Sequence, residues 1–334
     1  MEQELMDIWH PLKACIFVTR KCNLKCSYCG VVEKDSQEPE LDFEGWQRVF
    51  DATEKLGIGM HVIFGGEPMF REDIGQIIGY LNDHSLPYAL ITNATYPLER
   101  YQALNLKQIS CSVDLIKNFN TKQHNQLKSQ RGTKLLLEMV KDVPDALANM
   151  GLCSWNLRLV PDIVKFFTDN NIWVITTPLH DDPDNHDFWM YRYTGSHSDR
   201  IKPEQQKDIE WYCEQMLDLK RQGYLIHQFE PFFEKYFPKY GVGLDWHCKD
   251  PALLTIDSDG SLLCCIDLRG ERVSKYKIWD LLDPEKLKQF KKDYAEDVKV
   301  CPGCCWDHIL ESEHMYAEDP DRGKKNFQHG KSYC

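Results

Sequence analysis

Three cysteines stand close together near the start of the chain, Cys22, Cys26 and Cys29, with the spacing C-x3-C-x2-C. Thiolates are soft ligands that suit iron, and four of them close an iron–sulfur cluster. Three would leave one iron open to a substrate or cofactor, which makes a reactive site rather than an electron relay. A zinc knuckle is the alternative, but zinc usually takes a fourth protein ligand, and no Cys or His follows closely.

A second group of cysteines occupies the last hundred residues. Cys248, Gly260 and Cys265 give C-x11-G-x4-C, and Cys301 and Cys304 add C-x2-C. Four thiolates can close a [4Fe–4S] cluster, and a structural zinc site also suits this spacing. Three cysteines are left over in this region, namely Cys264, Cys305 and Cys334. Whether any of them is a ligand, for example of a further cluster with His308, stays open.

Short apolar runs alternate with helical patterns along the first two thirds of the chain. Strands are expected at 14–19, 60–64, 88–92, 108–113, 152–155 and 172–176, and helices at 43–56, 72–84, 98–104, 133–150, 160–170 and 203–222. Pro144 predicts a kink or break in the helix at 133–150. The alternation favours an α/β fold with a parallel sheet. A β-hairpin at 253–266 and a helix at 281–294 follow.

Polar motifs fall where these strands end, which is where chemistry collects in parallel barrels. The cysteine loop follows strand one, Gly65-Gly66 follows strand two, and Thr92-Asn93 ends strand three. On strand four the period-2 pattern puts Ser110, Ser112 and Asp114 on one face and Cys111 on the other. We expect the polar face to point into the barrel.

These motifs together resemble those of radical S-adenosylmethionine (radical SAM) enzymes. The resemblance implies a partial (β/α)6 barrel in which Cys22, Cys26 and Cys29 hold a [4Fe–4S] cluster whose open iron binds SAM. An electron then cleaves SAM, and the 5′-deoxyadenosyl radical abstracts hydrogen from a substrate. The implied SAM-binding residues are Tyr28, Gly65, Gly66, Glu67, Pro68, Thr92, Asn93, Ser112, Asp114 and Arg131. Asp114 and His180 are the candidate catalytic residues.

The C-terminal cysteines resemble the auxiliary-cluster extension called SPASM, or its shorter form called twitch. The resemblance implies that Cys248, Cys265, Cys301 and Cys304 hold one auxiliary [4Fe–4S] cluster in a small α+β domain. The longer SPASM pattern continues with C-x5-C-x3-C, which is absent here. The expected organisation is a lead-in at 1–13, a barrel at 14–225, the cysteine-rich extension at 226–310 and a tail at 311–334.

Composition narrows the class of protein further. The 334 residues carry a formal net charge of −12, which argues against a nucleic-acid binder. The sequence has no run of 18 apolar residues and an acidic first stretch, so we expect neither a membrane span nor a signal peptide. Clusters of cysteines more often bind metal in a reducing compartment, which predicts a cytoplasmic protein.

Three hypotheses describe what the protein could act on or do. The first is an oxidoreductase that oxidises or epimerises a small polar molecule such as a sugar or cyclitol, with an auxiliary cluster as electron partner. The second is a peptide-modifying enzyme that forms a crosslink, thioether or epimer. Only 21 residues precede Cys22, so no leader-peptide-binding domain is expected there, which favours the first. The third is an electron carrier or sensor without catalysis. Both enzymatic hypotheses need an external electron donor such as flavodoxin or ferredoxin.

Overall fold

The computed structural model describes most of the chain. The described residues are 11–26, 29, 31, 39–113, 126–143, 145–179, 200–248, 253–301 and 303–318. Within them, no helix is both long and apolar enough to cross a membrane.

The described strands form one eight-stranded sheet in the order β6-β5-β4-β3-β2-β1-β7-β8. Neighbours from β6 to β1 run parallel, β7 runs parallel to β1, and β8 turns back antiparallel to β7. The strands are β1 Lys13–Thr19, β2 Met60–Gly65, β3 Tyr88–Thr92, β4 Gln108–Ser112, β5 Asp145–Leu152, β6 Trp173–Pro178, β7 Leu253–Ile256 and β8 Leu262–Leu263.

The α-helices cover the outside of the sheet, and all but the last two lie between parallel strands along the chain, whereas those two follow β8. They are α1 Phe43–Lys55, α2 Ile74–Asp83, α3 Leu98–Gln102, α4 Gln126–Met139, α5 Val160–Asp169, α6 Gln206–Arg221, α7 Phe237–Tyr240, α8 Pro284–Asp297 and α9 Asp307–Glu318. A π-helix at Phe232–Tyr236 precedes α7. Short 3-10 helices occur at Pro68–Phe70, Pro203–Gln205, Val273–Lys275, Ile278–Leu282 and Val298–Val300.

The six parallel strands and their helices confirm the predicted α/β barrel architecture. Side chains of β1 alternate between two cores, as the pleat of a strand requires. Ile16 packs with Trp46 beneath the helices, whereas Phe17 packs with Phe64 on the other face. The rings of Phe17 and Phe64 lie 4.3 Å apart, centroid to centroid.

The predicted helix at 133–150 is correct only as far as Met139, and the predicted strand at 152–155 is wrong. The helix ends at Met139, and β5 occupies Asp145–Leu152, with a turn after it. The run Ala-Leu-Ala-Asn-Met is rich in helix formers, which explains the error. Pairing with β4 on one side and β6 on the other overrides that local preference.

The C-terminal hairpin is part of the barrel sheet. Residues Lys13 to Ile16 of β1 pair with Leu253 to Ile256 of β7. The expected cysteine-rich extension at 226–310 therefore contains a strand that continues the barrel wall. The domain boundaries at 225 and 310 stay predictions.

Candidate active site

The loop that carries the first three cysteines leaves β1 at its carboxyl end. Cys22, Cys26 and Cys29 are all partly exposed there. The amide of Cys29 donates to the carbonyl of Cys26 over 3.1 Å, and the amide of Leu24 donates to the sulfur of Cys22 over 3.4 Å. Burial raises the pKa of the Cys22 thiol, while the Leu24 amide favours its thiolate. Tyr28, expected to contact SAM, lies outside the described residues.

Gly65 and Gly66 lie directly against the backbone at the start of this loop. A Cβ on Gly65 would be 2.1 Å from the carbonyl oxygen of Thr19, and one on Gly66 would be 2.2 Å from that of Lys21. The amide of Gly66 donates to the Thr19 oxygen over 2.7 Å. Gly65 also has a φ of +152°. The structure thus needs glycine here so that the two motifs can pack together.

Glu67 joins the ends of β2 and β3. Its side chain is fully buried and accepts hydrogen bonds from the Thr92 hydroxyl and the Asn93 amide, each over 2.7 Å. A third comes from the Met69 amide over 3.1 Å. These donors hold Glu67 against the end of β3, and the same carboxylate caps the 3-10 helix that begins at Pro68. The expected contact of Glu67 with SAM stays a prediction.

Asn93, in the Thr92-Asn93 motif at the end of β3, contacts the cysteine loop. Its side-chain amide donates to the oxygen of Asn23 over 2.9 Å and approaches the sulfur of Cys22 at 3.7 Å. Asn23 in turn donates to Thr95 over 2.8 Å. Asn23 and Thr95 were missed by sequence reasoning. Their signal is their position next to Cys22 and shortly after Asn93.

The inner face of β4 is polar, as predicted. Ser110 lies in the barrel interior with Gln108 and Asn149, beside a small cavity of about 40 Å³. Its hydroxyl is buried and has no hydrogen-bond partner among the residues that the structure describes. Cys111 lies in the outer core beneath the helices. Ser112 is partly buried at the end of the strand, whereas Asp114 lies outside the described residues, as does His180.

Arg131 stands on α4 beside the end of β3. Its guanidinium donates to the carbonyl oxygen of Thr95 over 3.0 Å. With Tyr96 and Lys134 it lines an open cleft of about 320 Å³. Arg131 therefore belongs to the rim near the Asn93 motif, where its charge is exposed to solvent.

The four C-terminal cysteines expected to form one site lie close together. Two backbone hydrogen bonds join Trp246, two residues before Cys248, to Cys304. Burial raises the pKa of the Cys265 thiol, and the neighbouring thiols of Cys248, Cys301 and Cys304 raise it further. Cys304 is buried and the other three are partly exposed, and such a group of sulfurs suits a bound cation.

Backbone amides point at these sulfurs. Those of Asp267 and Leu268 donate to Cys265 over 3.4 and 3.2 Å, and that of Gly303 donates to Cys301 over 3.4 Å. Amide donors stabilise thiolate charge and tune iron–sulfur clusters, so this donor set fits such a group. Across the described ranges, no three His, Cys, Asp or Glu side chains have the geometry to hold a single metal ion.

The structure distinguishes Cys265 from its neighbour Cys264. Cys264 is 2 % exposed and packs in the apolar core, where it leaves no room for a Cβ on Gly270. Cys305 is also buried in that core. Cys334 lies outside the described residues. The G-x4-C spacing and the structure therefore both favour Cys265 over Cys264 as the cluster ligand.

The first half of the chain is similar to proteins of a known superfamily. Residues 16–175 match the model of the Radical SAM superfamily. A probable GTP 3′,8-cyclase of Pyrococcus horikoshii is 29 % identical over 161 residues, which cover 47 % of this chain and 49 % of that protein. A PqqA peptide cyclase of Methylobacterium sp. is 32 % identical over 130 residues, covering 37 % and 34 %. The chain thus aligns with about half or less of these two relatives.

Solved structures resemble the chain over most of its length. Streptococcus suis SuiB bound to the precursor peptide SuiA has a TM-score of 0.62 at 16 % identity, covering 90 % of this chain and 71 % of that one. Native anSMEcpe with bound AdoMet and Kp18Cys peptide has a TM-score of 0.63 at 18 % identity, covering 95 % and 99 %. At these identities the likeness establishes the fold.

Proposed function

Residues 16–175 are a radical SAM domain, and from this premise we propose that the protein is a radical SAM enzyme that modifies a peptide. The observation that carries the enzymatic part is the contact among three motifs. Gly66 lies on the backbone of the cysteine loop, Glu67 binds Asn93, and Asn93 approaches Cys22. An electron carrier would have no use for this arrangement.

The residues of the loop fit the cluster that the family uses. Cys22, Cys26 and Cys29 would hold a [4Fe–4S] cluster with SAM on its open iron. When bound, this pair supplies a 5′-deoxyadenosyl radical that abstracts a hydrogen atom. The amide of Leu24 stabilises the thiolate of Cys22, and Glu67 keeps the ends of β2 and β3 together so that the site is preorganised.

The C-terminal group would hold one auxiliary [4Fe–4S] cluster through Cys248, Cys265, Cys301 and Cys304. Their closeness to one another and their backbone amide donors support this assignment. An external donor such as flavodoxin or ferredoxin would reduce the enzyme. A cytoplasmic location is part of the proposal, because thiolate-rich sites are typical of reducing compartments.

The choice of a peptide departs from the first sequence hypothesis. Nothing among the comparisons described above supports a sugar or cyclitol. One curated relative is named a peptide cyclase, and both similar structures contain a bound peptide. We therefore favour the second sequence hypothesis, in which a peptide residue is crosslinked, cyclised or epimerised. Oxidoreductase chemistry is retained as one route to such a product.

The test measures 5′-deoxyadenosine after anaerobic reconstitution, with SAM and dithionite. Three sets of candidates are compared with a substrate-free reaction, namely a mixed library of short peptides, a set of sugars and cyclitols, and GTP. We expect the peptides to stimulate product formation and to change in mass. Stimulation by sugars or by GTP instead would overturn the peptide assignment. The Cys22/Cys26/Cys29→Ala triple variant is the matched control.

A further inference from the structure

Arg20 lies two residues before Cys22, and its side chain contacts the turn after β7. Its side chain is fully buried. Its Nε donates to Oδ1 of Asp257 over 2.7 Å, and its Nη2 lies 2.5 Å from Oδ2 of the same residue. The guanidinium carbon also lies 5.0 Å from the centre of the Phe17 ring. This two-point contact fixes both the position and the orientation of the Arg20 side chain.

Asp257 belongs to the C-terminal hairpin that carries Cys265. It follows β7 directly and begins the turn to β8. The amide of Ser258 donates to its carboxylate over 2.6 Å, and the amide of Gly260 donates to its carbonyl oxygen over 2.9 Å. The amide of Leu41 reaches the carbonyl of Ser258 over 2.8 Å. The carboxylate is thus held rigidly by the turn.

The start of the cysteine loop is consequently held from two directions. Gly65 and Gly66 press on the backbone of residues 19–21 from the side of β2. Asp257 holds the Arg20 side chain from the side of β7, which pairs with β1. A buried charge pair tolerates little movement, because a displaced partner would leave an uncompensated charge. A shift of residues 19–21 would therefore have to break this pair or move the hairpin with them, and it would also disturb the hydrogen bonds of Thr19 and Arg20 to Glu40.

We propose that Arg20 and Asp257 form a positioning pair through which the C-terminal hairpin sets the conformation of the loop bearing Cys22, Cys26 and Cys29. This inference rests on the proposed function and adds a role for the C-terminal region at the SAM site. The pair positions the cysteines and is not itself catalytic. It also gives the hairpin that carries Cys265 a direct mechanical connection to the loop.

The first test compares Asp257→Asn with Asp259→Asn. Asp259 lies in the same turn, but its carboxylate pairs with Lys277 over 2.6 Å, away from the cysteine loop. Two readouts are used, namely the KM for SAM in 5′-deoxyadenosine formation, and the alkylation rate of Cys22 and Cys26 in the apo-protein by mass spectrometry. We expect both to rise about tenfold in Asp257→Asn, because the loop loses its fixed geometry. Asp259→Asn should stay close to wild type.

A second variant covers the case in which Asp257→Asn does not fold. The double variant Arg20→Met/Asp257→Leu removes both charges and fills the space with apolar side chains, which buried pairs often tolerate. It should fold and show the same rises in KM and alkylation. Wild-type values for both readouts in this double variant would overturn the inference.

The two proposals fail separately. If the wild-type protein makes no 5′-deoxyadenosine despite a full iron content, the proposed function is wrong. The alkylation rates in the apo-protein would still decide whether Asp257 holds the loop, because that readout needs neither cluster nor SAM.

Discussion

The carboxylate of Glu67, just after β2, accepts a hydrogen bond of 2.7 Å from the hydroxyl of Thr92 at the end of β3. The same carboxylate accepts a second hydrogen bond of 2.7 Å from the backbone amide of Asn93. Two motifs separated by 25 residues are therefore joined through one buried side chain. Because Asn93 also approaches Cys22, we expect a substitution of Glu67 to change the conformation of the cysteine loop.

Replacement of Glu67 by Ala should destabilise the protein and weaken SAM binding. It removes the acceptor of the Asn93 amide and of the Thr92 hydroxyl, which keeps a contact with the Tyr101 hydroxyl at 3.1 Å, at a cost of roughly 2–4 kcal/mol. Glu67→Gln keeps one oxygen acceptor and should cost about half as much. The measurement is the urea midpoint of the apo-protein by circular dichroism. Glu138→Gln, on the exposed side of α4, should leave the midpoint unchanged, and an unchanged midpoint in Glu67→Ala would refute this role.

Cys264 and Cys265 are neighbours with different expected roles. Cys265→Ser should remove about four of roughly eight irons per reconstituted chain, because it removes a ligand of one four-iron cluster. Cys264→Ser should keep its iron and instead lose about 1–2 kcal/mol of stability, because it puts a hydroxyl into an apolar core. Iron and sulfide analysis with thermal melts separates the two. Equal iron loss in both variants would contradict the assignment of Cys265 alone.

His61 should make the apo-protein less stable in mild acid. Burial lowers the pKa of its imidazole from 6.5 to about 4. Its Nδ1 lies 2.9 Å from the carbonyl oxygen of Pro87 and its Nε2 lies 2.8 Å from the Thr53 hydroxyl, which suits a neutral ring with the proton on Nδ1. As pH falls from 6.5 towards 4, the unfolded chain takes up a proton that the folded protein does not, so stability falls.

The size of this effect is roughly 2 kcal/mol between pH 7 and pH 5. His61→Gln should remove that part of the pH dependence when urea midpoints are compared across this range. Some dependence should remain, because burial also lowers the pKa of His227, to about 3. Parallel curves for wild type and His61→Gln would show that His61 does not titrate as described.

Part of the site could be predicted because its signals are local. The spacing of Cys22, Cys26 and Cys29 and the period-2 pattern of β4 are local in the sequence. The structure puts Ser110 and Cys111 on the expected faces of the sheet. The glycine pair at the end of β2 was also recognised, although its partner proved to be the backbone of residues 19–21.

The rest depends on contacts between distant residues. Nothing near Arg20 in the sequence indicates that its partner is Asp257, because β7 joins the sheet only through tertiary pairing with β1. Likewise, the composition of β5 favours a helix, and only its two neighbouring strands make it extended. The carboxylate oxygens of Glu67 accept hydrogen bonds from Thr92 and Asn93, and no local sequence pattern indicates these partners.

The central claim is that Cys22, Cys26 and Cys29 support reductive cleavage of SAM. The most direct measurement is the yield of 5′-deoxyadenosine and methionine from SAM with dithionite, in anaerobically reconstituted protein without added substrate. We expect the wild-type protein to form both products and the Cys22/Cys26/Cys29→Ala triple variant to form neither while keeping its C-terminal iron. No product from a fully iron-loaded wild-type protein, or equal product from the triple variant, would contradict the claim.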